Sequence, residues 1–212
     1  MDAYPVSLEV SGKTAIFTRP DTGSSPISYP VPTYSALRGI FEAILFLEQA
    51  SVVPVKVEIC APLNYHHYTT NYLGPAKKTG QEGALQVPAT VLTDVCYRVY
   101  ARAHHDDRPI PYSTRGKPNG SRCTHGGHAY QEIFNRRIKR GQCYRTPFLG
   151  WKEFTADYFG PFRPDTKVQE DINLSIPCLF KAFSMDGLGK STTWQPTFMN
   201  NVEVRGGVLH YV

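Results

Sequence analysis

At 212 residues, 41% of them hydrophobic, the chain is long enough to bury one sizeable core and too apolar to stay disordered. It has no apolar run of the roughly 18 residues that a membrane helix needs. Its start, MDAYPVSLEV, lacks the basic and apolar regions of a signal peptide, so the expected address is cytoplasmic. The formal charge of +5 is unevenly spread: between Arg98 and Lys152, twelve Lys and Arg stand against three Asp and Glu, while the rest of the chain is net acidic. Clustering of this kind is the footprint of a phosphate-backbone binder.

In YPVSLEVSGKTAIFTRP, Val6, Leu8 and Val10 alternate, and after Ser11-Gly12 Ala15 and Phe17 resume, which predicts a half-buried strand or a bent pair. DTGSSPISYPVP is a loop. In TYSALRGIFEAILFLE the apolar positions Leu37, Ile40, Phe41, Ile44 and Leu45 follow helical spacing, and Thr33 is placed to cap the first turn. VPVKVEICAPL alternates as a strand through Val53, Val55, Val57 and Ile59. Residues 62–90 are polar and hold Tyr65, His66, His67, Tyr68 and Tyr72, which predicts a long loop of the kind that is functional or mobile.

TVLTDVCYRVYARAH predicts a strand with Val95, Tyr97, Val99 and Ala101 on one face and Cys96, Arg98, Tyr100 and Arg102 on the other. Residues 105–127 are rich in breakers and predict an irregular excursion. HAYQEIFNRRIKRG then predicts a second helix: Tyr130, Ile133, Phe134 and Ile138 form an apolar stripe, Arg136, Lys139 and Arg140 point away from it, Arg137 lies at its border, and Gly141 stops it. Beyond it FLGWKEFTADYFGPF, LSIPCLFKAF and VEVRGGVLHYV predict short strands and loops. The order of elements implies an α+β fold, an antiparallel ferredoxin-like (RRM-like) sheet with two helices on one face and the other face open. Residues 1–154 would form this core with long insert loops, and residues 155–212 a small β-rich C-terminal extension.

Arginine forks arrayed along the second helix match phosphate oxygens, whereas complementing the helix dipole accounts for only one or two of the four cations. Five widely spaced cysteines predict reduced thiols rather than a disulfide framework. Cys123, His125 and His128, with Cys143 as a fourth, offer zinc donors, but at a spacing outside the usual structural patterns; the expectation is no metal and no cofactor. The pairs His66-His67 and His104-His105 read as loop or strand-end histidines without a fixed catalytic partner.

Four stretches, SGKTAIFTRP, SYPVPTYSALRGIFEAI, LTDVCYRVYA and IFNRRIKRGQCYRTPFLGWKEF, resemble the CRISPR-associated proteins of the fifth Cas family, closest to the form found in type I-C interference complexes. The resemblance implies a ferredoxin-like core with a protruding β-hairpin, placed at one end of a Cascade surveillance complex beside its backbone and large subunits. There it would grip the 5′ handle of the CRISPR guide RNA, with target DNA as a further partner and no membrane. Family members of this form also cut precursor RNA without a metal, through a tyrosine, a lysine and a histidine. Carried over position by position, that triad lands on Leu45, Ala129 and Tyr130, and His128 is the nearest histidine, with Lys139 or Arg137 as a source of charge.

The expectation is therefore a guide-RNA-binding subunit, leaning non-catalytic. Arg38, Arg98, Arg136, Arg137, Lys139 and Arg140 would contact phosphate, and Tyr34, Tyr97 and Tyr100 would stack on bases. The alternative is a metal-independent endoribonuclease rebuilt around His128.

Overall fold

The computed structural model describes residues 3–72, 85–106, 125–186 and 193–211. Its elements run β1 (Tyr4–Ala15), α1 (Tyr34–Ile44), β2 (Ala50–Ile59), β3 (Asn64–Tyr72), β4 (Leu85–His105), α2 (Gly126–Arg140), β5 (Tyr158–Gly160), β6 (Leu174–Asp186), β7 (Thr193–Arg205) and β8 (Val208–His210). The class is α+β. One sheet is ordered β5-β1-β4-β2-β8-β7-β6, with β3 pairing β4 off that path, and every pair of named strands is antiparallel.

The helices form where the periodicity places them. Thr33 Oγ1 accepts from the Ala36 N–H at 3.2 Å, and Leu37, Ile40, Phe41 and Ile44 bury one face of α1. Gly141 closes α2 in the left-handed region at φ 62°, with Gln142 N–H reaching back to the Arg137 carbonyl at 2.9 Å. Val6, Leu8 and Val10 of β1 and Tyr97, Val99 and Ala101 of β4 share one core with Leu37 and Phe41 of α1 and Tyr130 and Phe134 of α2, which puts both helices on one face of the sheet. The same core continues into Ile176, Leu179, Val202, Val204 and Leu209, across the 154/155 boundary.

Three expectations change. Residues 62–90 are not a loop where they are described: Asn64–Tyr72 pairs in register with Leu85–Thr93, so β4 is long enough to serve the hairpin with one half and the central sheet with the other. The polar composition misleads because His66 and His67 both stand exposed, and the buried side of the hairpin is supplied by Ala89 and Val91 of β4, against which Tyr68 packs. Second, β6 and β7 are 13 residues each rather than short; Pro177 is tolerated because β6 is an edge strand.

The third change concerns the sheet face opposite the helices. It is open only in part: Phe162, Arg163 and Thr166 lie over its Glu9, Arg98 and Tyr100 stretch, while Arg102 stays exposed. Of the expected 105–127 excursion, residues 107–124 lie outside the described residues.

Candidate nucleic-acid interface

Alternation along β4 sends Arg98, Tyr100 and Arg102 to the face away from the helices. Register places Arg98 between Glu9 of β1 and Glu58 of β2. Arg98 Nε lies 3.4 Å from Glu9 Oε2, and its Nη2 donates to the carbonyls of Arg163 (3.0 Å) and Thr166 (2.6 Å). Arg163 donates to the same carboxylate from both its side chain and its backbone N–H, Thr166 adds a hydroxyl, and Phe162 covers the Arg98 guanidinium. Burial pushes the Glu9 carboxyl up, but the Arg163 and Thr166 hydrogen bonds outweigh it and hold the group below its ordinary value. Arg98 is thus bonded within its own chain.

Tyr100 is occupied as well. Its hydroxyl donates to Glu58 at 3.0 Å, Lys56 lies 4.1 Å over its ring, and Phe162 packs on it at 5.3 Å. Burial, then the acceptor Glu58, push its phenol up to about 12. Tyr97 is 1% exposed with its ring against Phe17, so no face remains for a base. Tyr34 is half-buried beneath the Lys181 ammonium and beside Tyr211.

On the helices, Arg38 pairs with Glu42 one turn on at 2.7 Å. Arg137 Nη1 donates to the Ile44 carbonyl at 2.5 Å, capping the end of α1. Arg136, Lys139 and Arg140 are exposed and have no ion pair among the described residues, and Arg145, just past the helix, is in the same condition. The expected track of cations therefore divides: Arg98 lies on one side of the sheet, and Arg136, Lys139 and Arg140 on the other.

The two ends of α2 are joined by the segment that follows α1. Ile44 touches Arg137 near the C-terminal end, while the Gln49 carbonyl abuts Gly126 at the N-terminal end, where a Cβ would come within 2.0 Å of it. Eleven residues separate those contacts, or roughly 16 Å of helix. At the N-terminal end His128 is exposed, with Tyr4 wedged against it (5.4 Å between rings) and against His125 (5.5 Å). The first turn holds no acidic residue and its N-cap His125 makes no side-chain cap, but Gly126 and Gly127 are buried and the Gly126 N–H is already taken by a side chain, which leaves the His128 end of the turn to favour an anion.

His105 is used structurally: its Nδ1 accepts the Gly126 N–H at 3.0 Å. Cys143, offered as a zinc ligand, lies beyond the opposite end of α2 from His125 and His128, and Cys123 lies outside the described residues. Among the described residues no group of three metal donors assembles, and their four cysteines are free.

Residues 6–105 match the model of the Cas5d family of CRISPR-associated proteins. A CRISPR pre-crRNA endoribonuclease Cas5d from Thermus thermophilus is 32% identical over 195 residues, 87% of this chain and 76% of that protein. The chain belongs to the Cas5d family. A second Cas5d, from Mannheimia succiniciproducens, is 29% identical over 174 residues, 74% of this chain and 72% of that one. Among solved structures, a functionally uncharacterized Streptococcus mutans protein has the same fold, with a TM-score of 0.70 at 17% identity over the whole of this chain and 94% of that one.

Of the positions that align with the resemblance's catalytic triad, Leu45 and Tyr130 are buried in the core. Leu45 is 2% exposed and its N–H caps α1, and Tyr130 is 1% exposed, its hydroxyl donating to the Phe41 carbonyl at 3.3 Å. Burial drives the Tyr130 phenol upward. Ala129 carries no functional group. Sequence reasoning missed Glu9 and Arg163, whose pairing spans 154 residues, and the exposed aromatics Phe46 and Tyr144, which helical periodicity does not reach.

Proposed function

We propose that this chain is the guide-RNA-binding subunit of a type I interference complex, holding the 5′ handle of CRISPR RNA on the outer face of α2. One observation carries the reading. Of the six cations expected at phosphate, Arg38, Arg98 and Arg137 are bonded within the protein, whereas Arg136, Lys139 and Arg140 stand on one helix without carboxylate partners. Unpaired arginines on a rigid helix suit a phosphate backbone. The relatives' names support RNA as the ligand. We read β1-α1-β2-β4-α2-β5 as a ferredoxin-like unit, with β3 and the first half of β4 as its protruding hairpin and residues 155–212 as its extension. Other Cascade subunits would be its neighbours.

A second reading, cleavage of precursor CRISPR RNA, is favoured by the exposed His128 in the first turn of α2. A 2′-hydroxyl losing its proton to His128 would attack the adjacent phosphorus. The 5′-oxygen would leave with a proton from a second donor, giving a 2′,3′-cyclic phosphate, and the positive end of the α2 dipole, which has no acidic residue in its first turn, would face the developing charge. The experiment is incubation of purified protein with repeat-containing RNA and chelator. Retarded, intact RNA supports the binding subunit; cleavage abolished in His128→Ala establishes the second reading in its place.

A further inference from the structure

We propose that Phe46 and Tyr144 form a stacking platform for unpaired bases, so that the face of α2 takes single-stranded rather than duplex RNA. The inference rests on the RNA-binding reading above and assigns its base contacts to residues outside both helices. Tyr144 is 78% exposed and Phe46 58% exposed, and neither ring packs on another aromatic ring among the described residues.

Their exposure is enforced by the backbone. Leu45 ends α1 in extended geometry at φ −148° and ψ 122°; extended chain alternates its side chains, so burying Leu45 turns Phe46 outward. Tyr144 is sewn to the same place. Its N–H donates to the carbonyls of Ala43 (3.0 Å) and Ile44 (3.2 Å), and the Arg145 N–H donates to Ala43 (3.0 Å). Two large rings are thereby presented on fixed backbone two residues beyond one helix end and four beyond the other.

The electrostatics select a nucleic acid as the occupant. A helix C-terminus ordinarily repels phosphate through its free carbonyls. Here the Phe41, Ala43 and Ile44 carbonyls all accept hydrogen bonds, from Leu45 and Tyr130, from Tyr144 and Arg145, and from Arg137 and Tyr144. Arg140 and Arg145, four residues before and one residue after Tyr144 in the chain, carry exposed charge with no ion pair among the described residues; of the carboxylates near Phe46 in sequence, Glu42 is paired with Arg38 and Glu48 is exposed. Aromatic rings among cations suit a strand whose bases splay, because every base offers a face to stack and every phosphate a charge to neutralise. A duplex keeps its bases stacked on one another and cannot use the rings.

The test is the affinity of the full-length protein for a short unstructured RNA and for the same strand annealed to its complement, measured over a salt series. Phe46→Ala and Tyr144→Ala are each expected to weaken single-strand binding by about tenfold, near the low end of one base–aromatic stack. They should leave the salt slope and duplex binding unchanged, and Tyr144→Phe should restore affinity. Both side chains are exposed, so folding is not at stake. Unchanged single-strand affinity in both alanine variants would overturn the platform and leave the rings to a protein neighbour; if Arg140→Ala still weakened binding, the phosphate-binding reading would survive. Equal losses on duplex and single strand would also overturn the platform, and a wild-type chain that bound neither RNA would remove both readings together.

Discussion

The Arg163 guanidinium lies 2.5 Å from the fully buried Glu9 carboxylate, closing a contact between the first strand and a segment 154 residues later. Arg98 approaches the same carboxylate from the adjacent strand and holds the carbonyls of the crossing segment. Without Glu9, two guanidinium groups would face one another with no carboxylate between them. Breaking a buried pair from one side costs about 3–5 kcal/mol, and the lower end applies here because Arg163 is partly exposed and can turn to water. Glu9→Ala should therefore lose about 3 kcal/mol in urea unfolding, and proteolysis should open residues 161–168 first.

The same carboxylate makes stability depend on acid. Its native pKa is below the ordinary 4.5, so the folded state binds fewer protons than the unfolded chain. The stabilisation is complete above pH 4.5 and declines as pH falls below it toward the lower native value. Urea midpoints measured from pH 6 down through that window should fall more steeply for the wild type than for Glu9→Gln, which has nothing to titrate there.

Local rules made the helices legible: Thr33 and Gly141 cap where they stand in sequence, and the apolar stripes face the core. Alternation along β4 also sorted Tyr97 from Arg98 correctly by face. What alternation cannot tell is what covers a face, and the guanidinium of Arg98 turned out to meet the chain's own Glu9 and Thr166 rather than solvent. Arg137 and Arg140 look alike in NRRIKRG, yet only Arg137 lies beside the Ile44 carbonyl, a contact across 93 residues. Phe46 and Tyr144 follow the ends of helices, where neither period applies, and only the folded chain ties the Tyr144 backbone to the end of α1 that precedes Phe46.

Tyr130 stands where the resemblance's catalytic residues would, but its environment is that of a core tyrosine. Its ring stacks on Phe134 and its hydroxyl reaches the Phe41 carbonyl, which the Leu45 N–H also uses. Tyr130→Phe should cost about 0.5–1.5 kcal/mol in thermal or urea unfolding, the net value of one neutral hydrogen bond, and leave RNA affinity unchanged. A loss of RNA binding or of cleavage without a change in stability would make the hydroxyl functional instead.

Arg98 and Arg140 separate the two uses of arginine in this molecule. Replacing Arg98 with alanine removes the donor to two carbonyls and one of the partners of Glu9, so its effect should appear as about 2–3 kcal/mol of stability, while RNA affinity measured on the remaining folded protein stays near wild type. Arg140 touches no partner among the described residues, so Arg140→Ala should leave unfolding within about 0.5 kcal/mol of wild type. Its loss should instead weaken RNA binding and flatten the dependence of log affinity on log salt by about 0.7 for the single phosphate no longer neutralised. A salt series on the two variants distinguishes them directly: a flattened slope for Arg98→Ala would bring the far face of the sheet into the RNA site, and an unchanged slope for Arg140→Ala would remove α2 from it.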